Sequence, residues 1–110
     1  MITEIVTFEL PEGTRREDVF ANFEKTAPAW GANPDLIRKN YLFNAETGIA
    51  GGVYLWKEKA HAEKWHGAEF RDRVKKLYGG EPQSQFFETP VVVDNQVGEI
   101  TRDFGDVVHA

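Results

Sequence analysis

Two histidines, His61 and His66, are the side chains that first suggest metal binding or proton transfer. Side chains share a helix face at spacings of three or four residues. A spacing of five in a predicted helix therefore prevents the pair from facing one metal ion without distortion. The sequence also lacks a nucleophile elbow, a phosphate-binding loop and the HExxH motif. We expect no bound metal.

A pair of adjacent glycines, Gly51 and Gly52, interrupts the segment IAGGVYLW (residues 49–56), which otherwise has the composition of a β-strand. Glycine inside a strand indicates a bulge, or a close approach of a ligand or another chain to the backbone. The sequence leaves these three explanations open. Tyr54 and Trp56 follow at alternate positions and share the face of Gly52, where they would line a pocket. Asn40 in the preceding strand is unusual, because asparagine is depleted in strands.

Composition excludes several classes of protein. The chain has 110 residues, enough for one domain, with 41% hydrophobic and 13% aromatic residues. Its net charge of −5 argues against a nucleic-acid partner. No cysteine is present, which excludes disulfides, thiolate catalysis and cysteine-ligated zinc or iron–sulfur clusters. We find no signal peptide and no apolar run near the ~20 residues of a membrane span, so we expect a cytoplasmic protein without a membrane partner.

The pattern of apolar residues predicts the elements that position these side chains. They are a strand over 2–10, a helix ending before Pro28, strands over 36–43 and 49–56, a helical region over 58–78, and a strand over 84–95. The order β-α-β-β-α-β predicts an α+β, ferredoxin-like fold, with a four-stranded antiparallel sheet and the helices on one face. We expect residues 1–95 to form this domain and residues 96–110 to form a C-terminal tail.

Two local features of these elements carry predictions. The apolar stripe of the 58–78 region slips in phase between Trp65 and Phe70, so we expect a break at Gly67. If Phe43 pairs with Ile49, one face of the central hairpin carries Ile37, Lys39, Tyr41, Val53 and Leu55, and the other carries Arg38, Asn40, Gly52, Tyr54 and Trp56. A bulge at the glycines would shift this register by one residue.

Four stretches, LIRKNYLF, GGVYLW, HGAEFRDRVKKLYG and FFETPVVVDN, resemble the small monooxygenases of the dimeric α+β barrel superfamily. The resemblance covers residues 2–95. It implies a homodimer in which two sheets close into a barrel, and a small-molecule ligand between sheet and helices. Cofactor-independent members oxidise electron-rich aromatic substrates, in which the deprotonated substrate itself donates an electron to oxygen. The site then needs an apolar cavity and a group that stabilises the phenolate.

The resemblance implies a set of site residues and a function. The catalytic candidates are Arg38, Asn40, Tyr54 and His66, and the substrate-binding candidates are Phe23, Trp30, Trp56, His61, Trp65 and Phe86. We expect a monooxygenase without a cofactor that acts on a small aromatic or polyketide-like substrate. Three alternatives stay open. In the first, His61 ligates haem, as in haem-degrading relatives. In the second, the dimer is a non-catalytic small-molecule-binding or stress-response protein. In the third, the protein's own tryptophans fill the cavity.

Overall fold

The structure, a computed structural model, describes residues 1–104. In chain order the elements are β1 (Ile2–Glu9), α1 (Arg16–Gly31), β2 (Leu36–Asn44), β3 (Ile49–Trp56), α2 (Lys59–Trp65), α3 (Ala68–Tyr78), β4 (Gln83–Glu88), β5 (Val91–Asp94) and β6 (Glu99–Arg102). Within residues 1–104, no helix combines the length and the apolar composition that crossing a bilayer requires.

Strands β1 to β4 form one antiparallel sheet in the order β2-β3-β1-β4. Alternate residues of β1 and β3 form a buried core with side chains of all three helices; its members are Val6, Phe8, Val19, Ala50, Tyr54, Trp56, Ala62, Phe70 and Val74. The helices therefore cover one face of the sheet. This arrangement confirms the predicted ferredoxin-like α+β fold.

The predicted break in the second helical region is confirmed at Gly67. Helix α2 ends at Trp65, and α3 begins at Ala68 with Gly67 in an extended conformation at its N-cap. The break lets both halves bury their apolar stripes, because Ala62 and Phe70 then both enter the core. The first helix, in contrast, continues through Pro28 to Gly31. Its last turn is retained because Trp30 packs edge-on against Tyr54, with ring centroids 5.3 Å apart.

The predicted hairpin register is wrong by one residue. Asn44, not Phe43, pairs with Ile49, and the only irregularity in the pairing lies between Leu36 and Arg38 rather than at the glycines. Because side chains alternate along a strand, this shift exchanges the faces of residues 38–44, whereas Leu36 still pairs with Trp56. Lys39 therefore joins Tyr54 on the helix-facing side of the sheet. Arg38 and Asn40 lie on the opposite, outer face.

The predicted strand over 84–95 is two strands. Pro90 separates β4, which belongs to the main sheet, from β5, which pairs with β6 in a hairpin of its own. The proline lacks an amide donor, so the ladder stops there. Strand β6 lies in the segment predicted as a tail, and its pairing crosses the predicted boundary at residue 95. The domain division stays a prediction, since residues 105–110 lie outside the described part.

Candidate functional site

A cavity of about 360 Å³ lies between the helix-facing side of the sheet and helices α1 and α3. Aromatic side chains from both layers line it, among them Phe23, Trp30, Tyr41, Tyr54, Trp65 and Phe70. Rings from the sheet and the helices meet edge to face or at a tilt, such as Phe23 and Tyr41 at 4.6 Å between centroids. The cavity is thus apolar and of a size that accepts a small aromatic molecule.

Each of the two adjacent glycines avoids a steric clash with a different neighbour. A Cβ on Gly51 would lie 1.8 Å from the Val6 carbonyl oxygen, so glycine is required by the backbone of β1. A Cβ on Gly52 would lie 3.0 Å from Lys39 Cε and 3.1 Å from the Tyr54 ring. Gly52 also lines the cavity. Its missing side chain therefore leaves room for Lys39 and Tyr54 beside the open space.

Lys39 is a cavity residue that the sequence analysis missed. Its ammonium nitrogen lies over three ring faces, at 3.8 Å from the centroid of Tyr41, 4.5 Å from Tyr54 and 4.8 Å from Trp30. Burial lowers the pKa of the Lys39 ammonium to about 7, because a charge loses hydration among apolar rings. Lys39 could have been placed in the cavity from the sequence if the hairpin register had been predicted correctly, because that register puts Lys39 on the same face as Tyr54.

A buried polar cluster lies behind the cavity wall. Glu4 is fully buried, and its Oε1 accepts a hydrogen bond from Trp56 Nε1 at 3.1 Å and lies 2.6 Å from His66 Nδ1. Glu4 was missed as a site residue, although it was the only polar residue on the apolar face of β1. The carboxylate therefore favours the His66 tautomer with a proton on Nδ1.

His66 makes close ring contacts with the cavity wall. Its imidazole stacks on Phe70 at 3.9 Å and meets the Tyr54 ring edge-on at 4.3 Å between centroids. Burial lowers the pKa of His66, and the hydrogen bond and charge of Glu4 oppose that shift. His66 Nε2 is buried and has no hydrogen-bond partner among the described residues. The imidazole therefore binds a second proton less readily than a free histidine does, and it lies directly behind the Tyr54 ring that lines the cavity.

Trp65 reaches the cavity from α2 and is held there by Asp35. Trp65 Nε1 donates a hydrogen bond to Asp35 Oδ2 at 3.0 Å, and His61 Nε2 lies 3.5 Å from Asp35 Oδ1. The Trp65 hydrogen bond is the main cause that lowers the pKa of Asp35. His61 thus contacts a partly buried carboxylate and does not line the cavity. No group of three or more His, Cys, Asp or Glu side chains suited to a metal occurs within residues 1–104.

The structure brings some of the predicted site residues together and separates others. Those on the cavity wall are Phe23, Trp30, Tyr54 and Trp65. Trp56 and His66 pack directly behind Tyr54.

Phe86 lies on β4 near Lys59, whose nitrogen is 5.4 Å from the ring centroid. Arg38 forms an ion pair with Asp94 at 3.5 Å on the outer face, where Asn40 also lies exposed.

A four-stranded antiparallel sheet with helices on one face and an aromatic cavity between them defines the class of small ferredoxin-like α+β proteins. Within that class, residues 5–101 match the family described as "Putative mono-oxygenase ydhR". The chain belongs to this family. No curated protein matches the sequence.

Several solved structures are similar to this fold. A "Putative antibiotic biosynthesis monooxygenase" from Bordetella bronchiseptica is 20% identical, with a TM-score of 0.61 over 80% of this chain and 95% of that chain. SnoaB, a cofactor-independent oxygenase from Streptomyces nogalater, is 14% identical, with a TM-score of 0.59 over 80% and 91%. The ActVA-Orf6 monooxygenase of Streptomyces coelicolor, in complex with nanaomycin D, is 14% identical, with a TM-score of 0.60 over 99% and 92%. At these identities the similarity establishes the fold.

Proposed function

We propose that the protein is a cofactor-independent monooxygenase that oxidises a small, electron-rich aromatic or polyketide-like substrate inside the aromatic cavity. The observation that carries this proposal is the cavity itself, which is walled by rings from sheet and helices and contains the partly buried Lys39. Membership of a mono-oxygenase family supports the reaction class. The nanaomycin D complex of the Streptomyces coelicolor structure, and the description of SnoaB as cofactor-independent, support the choice of substrate and the absence of a cofactor.

In this reaction the protein has to bind the substrate and to stabilise the negative charge of the substrate anion. A hydroxyl-bearing aromatic loses its proton, and the resulting anion transfers an electron to O₂. Oxidation of a ring CH₂ to C=O then consumes one O₂, leaving one oxygen atom in the product and releasing the other as water with the two hydrogens. The walls exclude water from the reacting carbon. The Tyr54 hydroxyl remains a hydrogen-bond donor, because burial raises its pKa well above the ordinary value.

Oxygen uptake with a panel of phenols, quinols and anthrone-like compounds tests the proposal. Ala29 lines the cavity from α1 and is exposed to solvent. Ala29→Phe should fill the cavity and abolish substrate-dependent oxygen uptake. The matched control is Ala21→Phe, on the same helix outside the cavity, which should keep the wild-type rate. Tight binding of panel compounds without oxygen uptake would instead support the non-catalytic binding function.

We also propose that the protein is a homodimer whose subunits meet through the outer face of the sheet and the β5–β6 hairpin. Phe87 pairs with Thr3, so it points to the outer face, and it is 51% exposed. On the hairpin, Val93 and Ile100 are paired neighbours that are 61% and 52% exposed. A second copy of the chain would bury these apolar side chains.

A further inference from the structure

The cavity has an unbalanced charge. Among residues 1–104, the titratable cations that line it are Lys25, Lys39 and Arg73, and no Asp or Glu side chain of that part lines it. The chain as a whole carries a net charge of −5, so this arrangement opposes the overall charge of the protein. A cavity of this kind favours a ligand that brings its own negative charge.

Lys39 is the cation that most needs such a ligand. Within residues 1–104, no carboxylate oxygen lies within 4.0 Å of its nitrogen. Three ring faces surround the nitrogen instead, the closest being Tyr41 at 3.8 Å. Ring faces attract a cation, but they do not replace the hydration that the cation loses on burial. They also do not neutralise its charge, as a bound anion would.

The arrangement of the rings around Lys39 also indicates which kind of anion fits the cavity. Trp30 from α1 and Tyr54 from β3 flank the nitrogen at 4.8 Å and 4.5 Å, and the missing side chain of Gly52 makes room for Lys39 Cε and the Tyr54 ring beside the cavity. A planar aromatic ligand would stack or meet these walls edge-on. An oxygen on its ring would then approach the ammonium.

We propose that Lys39 is the binding and proton-accepting group for an acidic aromatic hydroxyl, a phenol or enol, which the cavity holds as its anion. This proposal rests on the proposed function only for the choice of cavity. In the step, the O–H bond of the ligand breaks, the lone pair of neutral Lys39 Nζ takes the proton, and the new ammonium pairs with the phenolate oxygen. No oxidant or further reactant takes part.

The titratable groups around Lys39 are compatible with this step. Its lowered pKa, about 7 because of burial, provides a neutral amine near physiological pH. The facing groups are Tyr41 on β2, Tyr54 on β3, Lys25 on α1, Arg73 and Tyr78 on α3, and the Glu4–His66 pair behind Tyr54. Burial raises the pKa of the three tyrosines, so they remain neutral. The two cations favour the phenolate once it has formed.

The test uses 4-nitrophenol, whose phenolate absorbs visible light, at neutral pH, where part of Lys39 is a neutral amine and part of the free compound is still protonated. The titration is done under nitrogen, so that no turnover occurs. Added wild-type protein should raise the phenolate absorbance. The methyl ether 4-nitroanisole fits the same walls without an ionisable proton and should bind about tenfold more weakly or worse, which is the loss of one charge-assisted hydrogen bond.

Lys39→Met should abolish the rise in phenolate absorbance and reduce the affinity for 4-nitrophenol to that for 4-nitroanisole. Lys76→Met, at an exposed position of α3 outside the cavity, is the matched control and should behave as wild type. Absence of 4-nitrophenol binding, equal binding of both compounds to wild-type protein, or a phenolate rise retained in Lys39→Met would overturn the proposal. The comparison of the two compounds holds even if the variant fails to fold.

These outcomes are separate from those of the oxygen-uptake test. A phenolate rise without oxygen uptake would support Lys39 as the binding group and contradict the monooxygenase function. Oxygen uptake with a phenolate signal independent of Lys39 would support the monooxygenase function and contradict the role of Lys39 as the binding group.

Discussion

His66 Nδ1 lies 2.6 Å from Glu4 Oε1 and joins the junction between α2 and α3 to the centre of β1. His66 is the residue just before the helix break at Gly67. The bond therefore fixes the angle at which α3 leaves α2, and with it the position of Phe70, which stacks on the imidazole and lines the cavity. A polar pair in the core thus positions an apolar wall of the site.

The first prediction concerns the pH dependence of stability. Burial lowers the pKa of His66 below its ordinary value of 6.5, so the folded state binds this proton less readily than the unfolded state. The stability associated with His66 is full above about pH 6.5 and is lost as the pH falls through the folded-state pKa. Chemical denaturation of wild type should show this loss, and His66→Phe should remove it. His61→Asn is the control and should retain it; the same pH profile in wild type and His66→Phe would refute the prediction.

The second prediction is that Lys39 reduces the stability of the protein. Lys39→Met should raise the free energy of unfolding by about 1 kcal/mol at neutral pH, because a thioether needs no hydration among the rings. The folded-state pKa of about 7 lies below the unfolded value of 10.5, so the gain should be largest below pH 7 and diminish as the pH rises toward 10.5. Denaturant titrations across this range measure it. Destabilisation by Lys39→Met at neutral pH, with Lys76→Met unchanged, would show that Lys39 is a structural residue.

The third prediction separates two tryptophans. Trp65 is 37% exposed and lines the cavity, whereas Trp56 is fully buried and bonded to Glu4. Trp65→Ala should change ligand affinity more than stability, while Trp56→Ala should cost about 3–5 kcal/mol of folding free energy. Thermal denaturation and 4-nitrophenol titration of both variants provide the comparison. Unfolding of Trp65→Ala would assign that side chain to the core instead of the site.

The fourth prediction is the dimer. Sedimentation should give twice the chain mass of 12.5 kDa at micromolar concentration. Val93→Asp introduces a charge on the exposed apolar face of the hairpin and should shift the mass toward the monomer, whereas Thr47→Asp, in the exposed loop between β2 and β3, should leave it unchanged. A monomeric wild-type protein would contradict the proposed interface.

The sequence was sufficient for the order of elements as far as β4 and for the break at Gly67, because both follow from apolar periodicity along single segments. The hairpin register was not predictable in the same way. It depends on a one-residue choice at the turn, whether Phe43 or Asn44 pairs with Ile49, and that choice moves Lys39 into the cavity and Asn40 out of it.

Tertiary contacts account for the remaining differences. Glu4 was visible as a polar exception on an apolar strand face, but its partners are 52 and 62 residues away along the chain. Strand β6 has a short, weakly patterned sequence and forms only by pairing with β5. Local patterns carry no signal of such partners.

The most direct test of the central claim is the fate of isotopically labelled oxygen. Wild-type protein is incubated with ¹⁸O₂ and an anthrone-like compound that it consumes, and the product is analysed by mass spectrometry. A monooxygenase reaction in this cavity predicts one ¹⁸O atom per product molecule, the other in water, and no labelled product above background from Ala29→Phe. Unlabelled product, or equal labelling by Ala29→Phe and wild type, would contradict the claim that this cavity is the site of oxygenation.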